Sequence, residues 1–189
     1  MQSNSTSGTS GLRAYTSTAV LLHWSSAVAL IGMMGLGWYM TWIEDQPGST
    51  WFFDLHKSMG LFVGVLLIAR WCWRMAHRPL PLPTSIARWQ LVTAKVSHGL
   101  LYGAMLLMPL LGLAGADLSK TGLAIFGHAV PQPFGIHEQL SESLYSLHGA
   151  VAWFLVSLIT LHIVAALAHR FSHHDAVFER MWFRAARRP

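Results

Sequence analysis

Four histidines, His23, His56, His148 and His162, lie inside long apolar stretches of the chain. An ionisable side chain within a membrane-spanning segment is costly and marks a functional site by default. His148 and His162 share one stretch, residues 144–170, and stand fourteen residues apart. At 100° per residue this is about 1400°, within about 40° of a whole number of helical turns, so both rings leave one face. Their axial separation is roughly 21 Å, most of the thickness of a bilayer core. One helix therefore offers two imidazoles, one near each membrane surface. That arrangement predicts two metal centres stacked across a membrane.

The composition agrees with a membrane setting. Of 189 residues, 53% are hydrophobic and 11% charged, and nine are tryptophan; a soluble domain carries about 25% charged residues. Cys72 is the single cysteine, which excludes an intrachain disulfide and the Cys-x-x-Cys-His attachment of a c-type haem. The formal charge of +5 raises the question of nucleic acid, but its distribution fits a membrane surface better. Residues 1–14 read as a disordered polar tail. They lack the basic start and cleavage site of a removable signal peptide.

Four spans are expected, at about 17–42, 51–75, 89–116 and 144–170. Together they form a transmembrane domain over 15–172, followed by a basic tail, 173–189. Trp38 and Trp42 suit an interfacial aromatic belt. Gly60 and Gly64, at i+4 and i+8 from His56, leave room for a flat group or a close helix. The prolines at 79, 81 and 83 stop the second helix, and Pro109 predicts a kink in the third. Within the polar connection 117–142, the stretch TGLAIFGHAV is expected to form a short interfacial helix. Eleven of the thirteen Lys and Arg lie on the side of both termini, and only Lys57 and Lys120 on the other. Both termini are therefore placed in the cytoplasm.

This topology gives each histidine a depth. His23 and His162 fall level near the inner surface, His56 and His148 near the outer one. Two imidazoles from facing helices fill both axial positions of a b-type haem and favour outer-sphere electron transfer. Zinc would need further Cys, Asp or Glu ligands at the same depth, which the apolar runs do not supply. His98, on the third helix, competes with His23 as an inner ligand; a hydrogen-bonding or propionate-side role suits its depth better. His169 lies on the face of His162 at the membrane edge, where a propionate, a quinone headgroup or the interface itself would meet it. His77, His128, His137, His173 and His174 read as solvated, and Trp153 and Phe154 as lipid-facing or packing residues. Arg70, Arg74 and Arg170 read as interfacial anchors, with a propionate salt bridge from one of them as the alternative.

The segments LLHW (21–24), LHKSMG (55–60) and LHGAVAWFLVSLITLHIVAALAH (147–169) resemble the bacterial cytochrome b561 family of small four-helix di-haem cytochromes of the inner membrane. The family is related more distantly to the b subunits of hydrogenases. The resemblance implies an all-α four-helix transmembrane bundle binding two b-type haems, with the ligands on His23, His56, His148 and His162. It also implies electron transfer from a periplasmic donor to the quinone pool, with ubiquinone as acceptor and superoxide as one donor used within the family. The outer loops hold two basic and six acidic residues, a surface that suits a cationic redox protein better than an anion. The bilayer, quinone and a periplasmic donor are thus the expected partners, and nucleic acid is not. Two other readings are a membrane-anchor b subunit relaying electrons for a partner oxidoreductase, and a haemless transporter or metal carrier.

Overall fold

The computed structural model describes residues 15–77, 87–172 and Met181; the expected tails, His173, His174 and the proline-rich stretch 79–83 lie outside them. Four helices are long and apolar enough to cross a membrane: α1 (Ser17–Trp42), α2 (Ser49–Ala76), α3 (Arg88–Leu118) and α4 (Glu138–Phe171). Their apolar side chains cover the outside as well as the core. Val28 is 69% exposed, Phe62 60%, Leu110 64% and Trp153 65%. A helix apolar all round is stable only where lipid replaces water. The chain is a multi-pass membrane protein.

Local chemistry sets the helix ends. The Thr16 hydroxyl accepts from Ala19 N–H at 3.3 Å and caps α1. Gly48 precedes α2 with φ +86°, a conformation open to glycine. Gln90 reaches back to Ala87 N–H at 3.1 Å and starts α3. α4 begins before the apolar run 144–170 because its polar first turns have partners. Glu138 binds Lys120 at 3.0 Å, and Ser141 Oγ donates to Gly115 O at 2.8 Å. α3 continues through Pro109, whose ring packs on α2, where a Cβ at Gly64 would meet it at 3.2 Å. Gly64 thus serves a close helix neighbour.

The stretch TGLAIFGHAV is not a helix. It forms an antiparallel hairpin, β1 (Leu123–Ile125) with β2 (His128–Val130), pairing Leu123 with Val130 and Ile125 with His128. The two turn residues, Phe126 and Gly127, have φ +47° and +83°. This is the mirror-image turn whose twist matches paired strands, and it overrides the apolar pattern. Phe126 N–H donates to Ser58 Oγ at 2.9 Å and Lys57 Nζ to Gly122 O at 3.1 Å, so the hairpin is tied to α2 beside His56.

α1 packs closely on α2, α2 on α3 and α3 on α4. α4 stands off from α1 and α2, the helices whose histidines face its own. The interior is built in three layers, seven residues apart, because seven residues are about 20° short of two turns and return to nearly the same face. α1 contributes His23, Leu30 and Gly37; α2 contributes Arg70, Val63 and His56; α3 contributes His98, Met105 and Gly112; α4 contributes His162, Leu155 and His148. The middle layer (Leu30, Val63, Met105, Leu155) belongs to the buried core and separates two polar layers.

Candidate functional site

In the layer away from the termini, the His56 and His148 rings stand 6.2 Å apart, centre to centre, at 77°. His148 Nδ1 donates to Met108 O at 3.0 Å. This fixes the tautomer and leaves Nε2 as a lone-pair donor, the usual state of a metal-binding imidazole. The remaining two positions of the layer are glycines. A Cβ at Gly37 would lie 3.3 Å from His56 Cε1, and one at Gly112 would lie 3.2 Å from His148 Cε1. Each ring therefore rests against bare backbone.

In the layer beside the termini, the His23 and His162 rings are 6.3 Å apart at 59°. His98 joins them, edge-on to His162 at 5.4 Å, with its Nδ1 donating to Ala94 O at 2.6 Å. Arg70 completes the layer. Its Nη2 donates to His23 Nδ1 at 2.9 Å, and its guanidinium lies 5.5 Å from the centre of the Tyr102 ring. Arg70 is half-buried and directed into the bundle, unlike the interfacial anchor expected. Trp24, edge-on to His23 at 5.5 Å, donates from Nε1 to Met181 O at 2.9 Å, which sets Met181 beside α1.

The spacing of the two pairs fits one metal between two imidazoles. Two nitrogens each about 2.0–2.1 Å from a shared metal set ring centres roughly 6.3 Å apart, close to both observed values. The clearance between α4 and its facing helices, and the glycines under the rings, fit a flat macrocycle. Among the described residues no group of three or more His, Cys, Asp or Glu could hold a metal ion, which fits haem better than zinc.

The other predicted residues sit apart. His128 and His137 are exposed, and His77 stacks on Trp73 at 3.9 Å. Trp153 lies against Trp38 at 5.4 Å on the lipid-facing side. Sequence reasoning missed Gly37, Gly112 and the inward turn of Arg70. Arg70 carried a usable signal: it follows His56 by the same fourteen residues that separate His148 from His162.

A family model described as prokaryotic cytochrome b561 matches residues 14–184. The chain belongs to the prokaryotic cytochrome b561 family. It is 30% identical to cytochrome b561 homolog 2 of Escherichia coli (strain K12), over 88% of this chain and 90% of the relative. It is 25% identical to cytochrome b561 homolog 1 of the same organism, over 88% and 96%. A protein of Yersinia pestis named probable superoxide oxidase CybB is 24% identical over 69% and 74%. This cytochrome is accordingly a membrane electron-transfer protein, and b-type haem is the cofactor that membership implies.

Proposed function

We propose that this cytochrome holds two haem b groups, one between His56 and His148 and one between His23 and His162, and carries electrons from a periplasmic donor to quinone. The carrying observation is the repeated imidazole spacing, 6.2 Å and 6.3 Å, in two layers separated by an apolar one. Held by these histidine pairs, haem would supply one-electron exchange. The chain's own residues hold the imidazoles, exclude water and set the distance between levels. Met108 O orients His148, and Gly37 and Gly112 leave the rings room. The roughly 21 Å between the α4 imidazoles is the span the electron crosses.

The excess of Arg and Lys beside both termini supports a cytoplasmic placement for them. The His56/His148 level then faces the periplasmic donor, and the His23/His162 level faces ubiquinone. The Yersinia pestis relative's name suggests superoxide as donor. The outer charges favour a cationic redox protein, because both outer lysines are ion-paired, Lys57 with Asp54 and Lys120 with Glu138.

The test is a reduced-minus-oxidised optical spectrum with single His→Ala variants, followed by stopped-flow reduction with ubiquinone present. Two b-type components are expected. His56→Ala and His148→Ala should remove the same one, and His23→Ala and His162→Ala the other. Absence of a b-type α-band would end the haem reading. Loss of the inner component in His98→Ala, with His23→Ala sparing it, would overturn the pairing.

A further inference from the structure

The two polar layers are built alike in ligands and unlike in charge. In each, α4 and one facing helix supply the imidazole pair. The two remaining helices supply Gly37 and Gly112 in the outer layer, but Arg70 and His98 in the inner one. The lysine next to His56 does not balance Arg70, since its Nζ lies 3.4 Å from Asp54. Beyond Gly112 on the same helix, Asp117 adds a carboxylate at the outer end, one oxygen of which is buried without a hydrogen-bond partner. Among the described residues no Asp or Glu pairs with Arg70. A guanidinium keeps its charge under all physiological conditions.

We propose that Arg70 is a positioning charge that raises the reduction potential of the inner centre above that of the outer one, and so directs electrons from the outer face to the inner face. Reduction adds one negative charge to the centre, and a fixed cation nearby stabilises the reduced form. In the protein interior a unit charge at this range is worth more than tenfold in an equilibrium constant. Were His23 to hold the group through Nε2, its ring proton would sit on Nδ1 and the Arg70–His23 hydrogen bond would give way. The cation is also held at the Tyr102 ring and stays within a side-chain length of the ligand. The outer layer, with glycines in the two matching positions, has no equivalent cation.

The inference rests on the di-haem reading, and redox titration of the full-length protein in membranes separates the two. The optical components are assigned by their loss in His56→Ala and His23→Ala. In the wild type the inner component should have the higher potential. Arg70→Gln should lower it by at least about tenfold in the inter-haem electron distribution, or about 59 mV for a one-electron couple, and leave the outer component in place. Arg70→Lys should hold it within about threefold of wild type. Two b-type components with the outer one higher, or an inner one unmoved in Arg70→Gln, would overturn the role of Arg70 and leave the haem reading standing. If Arg70→Gln does not accumulate, the order of potentials in the wild type and Arg70→Lys decides. A wild type without two b-type components removes the di-haem reading itself.

Discussion

Gly112 of α3 lies directly beneath the His148 ring: a Cβ there would approach Cε1 to 3.2 Å and Nδ1 to 3.3 Å. The ring has little freedom to retreat, because its Nδ1 is bound to Met108 O on the same helix. Gly112→Ala should therefore tilt the imidazole by a few tenths of an ångström and weaken binding at the outer level. Gly37→Ala, which meets His56 Cε1 at 3.3 Å, should do the same from the opposite side. The expected result is partial loss of one b-type component with the other intact, read from haem content per protein. Gly103→Ala, where nothing lies within 4 Å, is the control. It should retain both components and gain up to about 1 kcal/mol of helix propensity.

Leu155 is 1% exposed and lies midway between the two α4 histidines. Truncation there opens a cavity in the layer that separates the two levels. Leu155→Ala should cost about 2–5 kcal/mol, measured by thermal unfolding in detergent. Both b-type components should remain at low temperature, since the polar layers are untouched.

A buried hydroxyl helps tie the hairpin to α2. Ser58 is 1% exposed; its Oγ accepts from Phe126 N–H at 2.9 Å and donates to Asp54 O at 2.7 Å. Ser58→Ala strands the Phe126 donor at a cost of about 1–3 kcal/mol. Amide hydrogen exchange over residues 123–130 should accelerate, while the protection of α3 and α4 stays the same.

Outer-surface charge predicts how the donor rate responds to salt. With both outer lysines paired, the exposed Glu44, Asp45 and Glu142 leave the face negative. Reduction by a cationic redox protein should slow as ionic strength rises from about 0.01 to 0.15 M, where the screening length falls from about 30 to about 8 Å. Reduction by superoxide, an anion, should accelerate over the same range. Glu44→Gln with Asp45→Asn should flatten whichever slope is seen.

Much of this architecture was legible before folding, because the α-helix has a fixed rise and turn. Fourteen residues between His148 and His162 set both their separation and their common face. The uneven distribution of Arg and Lys ordered the levels, so His23 could be matched with His162 and His56 with His148 by depth alone. Helix existence followed from apolar length, which only lipid can accommodate. The hairpin at 123–130 was not legible, since a short stretch rich in apolar residues looks alike in a helix and in a paired strand.

Depth is a one-dimensional quantity, and that is what the sequence by itself determined. Rotation of each helix about its own axis is a property of packing, and only the tertiary structure decided it. Arg70 at the end of α2 had two ways to satisfy its charge, outward to the interface or inward to the bundle. The packing of α1 and α3 on α2 brought His23 and Tyr102 within its reach. Gly37 and Gly112 are ordinary helical glycines until α2 and α4 lay a histidine ring on each. Four heptad-spaced triplets become three layers only when all four helices share one register, and that register is fixed by the packing of Leu30, Val63, Met105 and Leu155 at the centre.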